Sequence, residues 1–125
     1  YDAYYKAVNG QVNDLFYYYR EQAALKARQY QRALDDIVKA VELSPKDLTY
    51  RAEHAVVNLR VGRYEESMKI LNEILKDEPK YGEAYRLLGL CQIQLKKTDE
   101  ACGNFNKAKE LGDPNVDELI KKYCK

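Results

Sequence analysis

The chain has 125 residues, 46% of them apolar and 33% charged, with 21 Lys plus Arg against 20 Asp plus Glu. That balance argues against a basic nucleic-acid binder or a polybasic membrane binder, and no apolar run nears the roughly 20 residues that cross a bilayer. Six Gly and three Pro are too few for a linker-like or collagenous chain, which leaves one compact, charge-rich domain.

In chain order, Tyr1 to Asn9 reads as the second helix of a preceding unit, closed by Gly10. Residues 1–13 are thus expected to be a remnant, and a start at Tyr1 rather than Met marks a piece of a longer chain. Helical spacing then runs from Leu15 to Ala27, breaks at Arg28-Gln29, and resumes through Ala33, Leu34, Ile37, Ala40 and Val41. After Ser44-Pro45-Lys46-Asp47 the pattern repeats. A helix is predicted from Leu48 to Val61, a break at Gly62-Arg63, and a second stripe through Met68, Leu71, Ile74 and Leu75. Following Glu78-Pro79-Lys80-Tyr81, the third pair spans Gly82 to Leu95 and then Ala101, Cys102, Phe105, Ala108 and Leu111, separated by Lys96-Lys97. Proline cannot continue a helix, so Pro45 and Pro79 end one unit and open the next. A final amphipathic helix, Val116 to Cys124, presents Val116, Leu119, Ile120 and Tyr123 as a cap, with Lys121, Lys122 and Lys125 at its negative dipole end.

Pro45 and Pro79 lie 34 residues apart, and the same offset pairs Ala33 with Ser67 and Ala101, and Ile37 with Leu71 and Phe105. A fixed period of this kind is the mark of a stacked array. Small residues at one slot let paired helices approach closely. Ala33, Ser67 and Ala101 are expected to make that crossing, with Gly89 facing Ala101 in the third unit. One helical pair cannot cover its own apolar face, so each unit leans on the next.

Four residues resist this pattern. Arg20, Glu21, Arg51 and His54 fall where buried apolar or small side chains belong, and an unpaired buried charge costs several kcal/mol. They are expected to pair with each other or to hold their helices apart. Asp35-Asp36 and Glu65-Glu66 read as charges at the positive ends of helices.

Catalytic chemistry has little support. The sequence lacks a P-loop, a dinucleotide-binding glycine motif, a GxSxG elbow and an HExxH helix. His54 is the sole imidazole, and it reads as an ordinary packed or surface side chain. Cys91, Cys102, Cys124 and His54 fall in four different predicted helices, so no metal site and no cofactor are expected. The three cysteines are neither an even framework nor a CxxC pair. If Cys102 and Cys124 meet, a bridge would stabilise the fold by about 3 kcal/mol in the chain-entropy view; otherwise all three are small buried hydrophobes.

These features resemble the tetratricopeptide repeats. The third unit, 82–115, places Tyr85, Leu88, Gly89, Ala101, Phe105 and Ala108 where that family carries its aromatic, leucine and small residues. The first, 14–47, matches through Tyr17, Ala33, Ile37, Ala40 and Pro45, and the second, 48–81, through Ala55, Ser67, Leu71, Ile74 and Pro79. The resemblance implies an all-α fold, an α-α superhelix of three helical hairpins, with residues 116–125 as the cap. The Ala101-Cys102 pair with a terminal Lys-Tyr-Cys also resembles the ends of some bacterial extracytoplasmic members, although composition by itself leaves the compartment open.

By the same resemblance, the first helix of each unit lines a concave groove. Its binding candidates are Tyr18, Gln22, Leu25 and Lys26, then Val56 and Arg60, then Arg86, Leu90 and Ile93. Apolar anchors with Lys or Arg beside them suit a peptide segment that carries a carboxylate. Members that capture chaperone tails use a Lys and Asn clamp, but this chain has Tyr18, Gln22, Glu53, Glu83 and Leu87 in those slots, which disfavours that ligand. The expected role is non-catalytic protein or peptide binding, without nucleic acid or membrane insertion; the sequence leaves the oligomeric state open, with a monomer favoured over self-association. A structural spacer or self-associating segment of a larger envelope or assembly protein is the alternative, motivated by Tyr17, Tyr18 and Tyr19.

Overall fold

The computed structural model describes residues 13–124, which are helical throughout their regular elements. The helices are α1 (Asp14–Lys26), α2 (Tyr30–Leu43), α3 (Leu48–Val61), α4 (Tyr64–Asp77), α5 (Gly82–Gln94), α6 (Thr98–Glu110) and α7 (Asp117–Tyr123). The expected remnant helix at Tyr1 to Asn9, with Gly10, lies outside the described residues, as does Lys125. The chain forms two compact units, one ending at Val61 and the other beginning at Gly62.

Local chemistry sets the helix ends. The Asn13 side chain accepts the Phe16 amide at 3.0 Å and caps α1, and Asp47 does the same for Tyr50 at the start of α3, also at 3.0 Å. Each such cap contributes about 1 kcal/mol. The hairpin turns recur with the period of the sequence, because Arg28, Gly62 and Lys96 all take positive φ, at 59°, 89° and 62°. At Arg28 the amide donates to the Leu25 carbonyl and the next amide, Gln29, to Ala24; Lys96 and Lys97 repeat this with Ile93 and Gln92. The left-handed residue thereby satisfies carbonyls that the helix end leaves open. Glycine adopts this conformation freely, whereas Arg28 and Lys96 each bear a cost of about 1–2 kcal/mol.

In the first unit, Ala24, Ala33, Leu34, Ile37, Ala40, Tyr50 and Val57 are buried together, with Tyr17, Tyr18, Leu25, Val38 and Val41 packed on them. In the second, Ala101, Phe105, Ala108 and Val116 form the centre, flanked by Tyr85, Leu90, Ile93, Leu119, Ile120 and Tyr123. Burying one such large apolar side chain contributes roughly 1.5–3 kcal/mol, so these stripes hold the hairpins together. At Gly89 a β-carbon would fall inside the contact envelope of the Phe105 ring. The large residue one turn beyond Ala101 occupies the space that glycine leaves.

Of the four polar intruders, Arg20 is matched by pairing across helices. It binds Asp36 of α2 through Nε at 3.0 Å and through its terminal nitrogen at 2.7 Å. Its guanidinium also lies 5.1 Å from the Phe16 ring centroid and 5.7 Å from that of Tyr17. The reading of Asp35-Asp36 as helix-end charges is corrected for the same reason. Helix α2 begins at Tyr30, which puts Asp36 in its second turn, facing α1 and buried. Glu65 and Glu66 do occupy the first turn of α4.

The last helix lies on the second unit as a cap. Val116 is fully buried just before it, Tyr123 stacks on Phe105 with ring centroids 6.4 Å apart, and Lys121 and Lys122 occupy its last turn. Cys102 of α6 and Cys124 after α7 are joined by a disulfide, with Cα atoms 5.7 Å apart. Cys91 remains a buried free thiol, its pKa pushed up by burial and partly offset by a hydrogen bond with Ser67. The bridge gives a direct expectation: the unreduced protein in denaturant should titrate one thiol, and the reduced protein three. Reduction should lower the stability of the folded chain by about 3 kcal/mol, measured by urea unfolding with and without reductant.

Candidate functional site

The faces of α1 and α3 in the first unit carry the richest set of unspent chemistry. Tyr18 and Tyr50 pack with ring centroids 5.2 Å apart and bring the two helices together. One turn on from Tyr18, the Gln22 amide donates to Glu21 Oε1 and to Glu53 Oε2, each at 2.8 Å. A single amide group thus serves two carboxyls from different helices. Near the start of α1, Asp14 accepts the Ser44 hydroxyl at 2.7 Å and the Tyr50 hydroxyl at 3.3 Å. The Ser44 bond holds the Asp14 carboxyl below its ordinary range, and burial with Asp14 alongside pushes Tyr50 up to about 12.

Glu21 is the unusual member. It is 0% exposed, and its Oε2 is the single buried side-chain oxygen without a hydrogen-bond partner among the described residues. Burial pushes its pKa up to about 9, and the hydrogen-bonded Glu53 adds to the effect, while Gln22 partly opposes it. Near neutral pH Glu21 therefore keeps its proton, because a charged carboxylate in a dry site beside a second carboxyl is costly. Tyr18 lies within the same field, its pKa raised by burial and then by Glu53 and Glu21.

The predicted groove residues fall into three groups. Lys26 and Arg60 are exposed in the last turns of α1 and α3, and Val56 is half-buried on α3. Tyr18, Gln22 and Leu25 are half-buried on α1, where Leu25 also packs on the core. In the second unit, Leu90 and Ile93 pack on the Phe105 cluster. Arg86 is held by Asp113, with Nε 3.1 and 3.2 Å from the carboxylate oxygens, and by Glu83 at 3.6 Å. The Asp113 side chain is only 3% exposed, so Arg86 spends its charge on the loop after α6. The first unit thus keeps exposed cations at Lys26 and Arg60, while the second engages its arginine internally.

Sequence reasoning missed the pairing of Glu21 with Glu53. The available signal was a carboxylate in a slot that the repeat pattern reserves for a small residue, with another acid on the first helix of the next repeat. No group of three or more His, Cys, Asp or Glu side chains arranged to hold a metal occurs among the described residues, and no helix among them is long and apolar enough to cross a membrane.

The raised pKa of Glu21 sets a pH dependence. The folded chain binds this proton more tightly than the unfolded chain, so its contribution to stability is complete below the ordinary glutamate range. It is lost progressively as pH rises towards about 9. Unfolding free energy should therefore fall through this window, by at most roughly 1.4 kcal/mol per pH unit. Glu21→Gln should flatten that slope, as measured by urea unfolding from pH 5 to pH 9.

Comparison with known proteins agrees with this architecture. The tetratricopeptide repeat profile matches residues 24–90 and 58–103. The small glutamine-rich tetratricopeptide repeat-containing protein 2 of Mycosarcoma maydis is 29% identical over 99 residues, covering 79% of this chain and 28% of the relative. The heat shock protein STI1 of Saccharomyces cerevisiae is 31% identical over 101 residues, covering 78% of this chain and 17% of the relative. The chain thus spans less than a third of either relative's length. Both of these relatives are fungal, so they lend nothing to the bacterial extracytoplasmic likeness of the C-terminal end. Among solved structures, the first TPR of Spaghetti (RPAP3) bound to the HSP90 peptide SRMEEVD has a TM-score of 0.76 at 19% identity, covering 89% of this chain and 90% of that one. YrrB, described as a TPR protein with an unusual peptide-binding site, has a TM-score of 0.82 at 22% identity, covering 97% of this chain and 63% of that one. With the helical hairpins, the 34-residue recurrence of the turns and the profile match in hand, the chain belongs to the tetratricopeptide repeat family.

Proposed function

We propose that this chain is a non-catalytic protein-interaction module that takes a peptide segment of a partner along the α1 and α3 faces of its first unit. The observation that carries this reading is the conjunction there of half-buried Tyr18, Leu25 and Val56 with exposed Lys26 and Arg60. Apolar side chains of the partner would find a partly desolvated floor, and a carboxylate would find two cations at the C-terminal ends of the helices.

The peptide differs from the acidic chaperone tail held by the Spaghetti domain. The slots that clamp such a tail are filled here by Tyr18, Gln22, Glu53, Glu83 and Leu87, and Leu87 is buried. Glu53 and Glu83 would repel a terminal carboxylate where the clamp needs cations. Arg86 is no substitute, since Asp113 and Glu83 already neutralise it. We further propose an oxidising compartment, supported by the Cys102–Cys124 bridge, because such bonds persist where thiols are not kept reduced.

Self-association is the second reading. Leu15 and Tyr19 are 45% and 53% exposed, one turn apart on α1.

The test is a displayed library of random twelve-residue peptides panned on the full chain. Selected peptides should share apolar anchors and an Asp or Glu. Lys26→Glu combined with Arg60→Glu should weaken them by about tenfold or more while the circular dichroism stays that of the parent. Undiminished binding by the double variant would exclude this face as the carboxylate contact. A mass that rises with concentration in sedimentation, and returns to the monomer value in Tyr19→Ser, would favour the second reading.

A further inference from the structure

The carboxylate contact just described does not use the Glu21, Gln22 and Glu53 cluster, in which Glu21 is fully buried. We propose that Tyr18, Glu21, Gln22 and Glu53 form a receptor for an ammonium or guanidinium group, so that the partner segment places a Lys or Arg side chain against the first repeat. This rests on the peptide-binding reading, since Tyr18 and Gln22 lie on that same face, and it names a contact of opposite charge within it.

Three observations carry the inference. Glu21 is 0% exposed and its Oε2 has no hydrogen-bond partner, although it sits beside a second carboxyl. The Gln22 amide is the donor shared by both acids, at 2.8 Å to each, and its hydrogens are too few to satisfy four carboxyl oxygens. The neighbouring arginine, Arg20, is committed to Asp36 at 2.7 and 3.0 Å. An arriving ammonium brings three donors, a guanidinium brings five in a fixed fork, and either is held more strongly by a carboxylate than by a neutral acceptor. Tyr18, one turn away and braced on Tyr50 at 5.2 Å, adds an aromatic face of the kind that attracts cations.

Docking changes the protonation of the pair. Before the cation arrives, Glu21 holds a proton; with the cation beside it the carboxyl can ionise, and that proton passes to solvent. The titratable and charged groups around Glu21 are Tyr18 on α1, Asp36 of α2 with its partner Arg20, and Glu53 of α3, with His54 next along α3. The receptor is therefore a proton-linked site that binds more tightly as pH rises through neutrality.

The full chain should be titrated with N-acetyl-lysine amide and, separately, with N-acetyl-norleucine amide, following side-chain signals by nuclear magnetic resonance. The lysine amide should shift the Tyr18 ring and the Gln22 amide saturably, with the norleucine amide leaving them unmoved, and Glu53→Gln should weaken the effect by about tenfold or more. Shifts of equal size at the surface pair Glu65-Glu66 would mark ordinary counter-ion attraction and overturn the proposal. Should Glu53→Gln lose its helicity, the unaltered chain supplies the second measurement: affinity for the lysine amide should rise by at least about threefold from pH 6 to pH 8, and a pH-independent affinity overturns the receptor. If the library peptides bind but the lysine amide gives no selective shift, this inference falls and the peptide-binding reading stands. Selective, saturable shifts with no peptide selected would leave a site for free cations and overturn the placement of a partner's Lys or Arg there, together with the peptide reading.

Discussion

The close approach of paired helices is the constraint on which the rest depends. Phe105 lies so near α5 that one methyl group at Gly89 would enter its ring, and Ala33, Ser67 and Ala101, one period apart on α2, α4 and α6, are 0% exposed. A packed interior responds to even one added methylene, because its side chains have no spare volume to yield. This packing spends the inner faces of the second helices, α2, α4 and α6. Parts of the first helices are left for other uses, and every functional feature described above lies on those parts.

Polar groups within this packing are of two kinds. Arg20 with Asp36, and Arg86 with Asp113, are matched pairs in which one or both partners lie largely out of water, and removing either member would strand the other. The Glu21 and Glu53 pair is unmatched: two acids meet, a proton replaces a cation, and one oxygen goes unpartnered. Burying a carboxyl with an unpartnered oxygen is costly to the fold. A group that is costly to the fold and placed on a binding face is better explained by what it meets there.

Much of the architecture was legible because it depends on one-dimensional periodicity. The predicted helix from Leu48 to Val61 coincides with α3, and the apolar stripe through Ala33, Ile37 and Ala40 is buried as its spacing requires. Side-chain partners were less legible, because they depend on which faces two helices present to each other. Arg20 and Asp36 are 16 positions apart, and Arg86 and Asp113 are 27 apart; no local pattern links them. The breaks at Arg28 and Lys96 were legible but their left-handed backbone was not, since neither residue type announces a positive φ in the way that Gly62 does. For the binding face, the resemblance placed Tyr18, Gln22, Lys26 and Arg60 in the groove-facing slots. The distinction between Arg60, which stays exposed, and Arg86, which is engaged, emerged only from the packing.

The central claim is that the first unit binds a partner segment through α1 and α3. Mapping amide and methyl shifts on the full chain with one library-selected peptide tests it most directly. The account predicts perturbations at Tyr18, Gln22, Lys26, Val56 and Arg60, with the exposed side of α2 at Gln31, Asp35 and Lys39 unmoved. A saturable footprint centred on that side of α2, with Tyr18 and Val56 unperturbed, would contradict it.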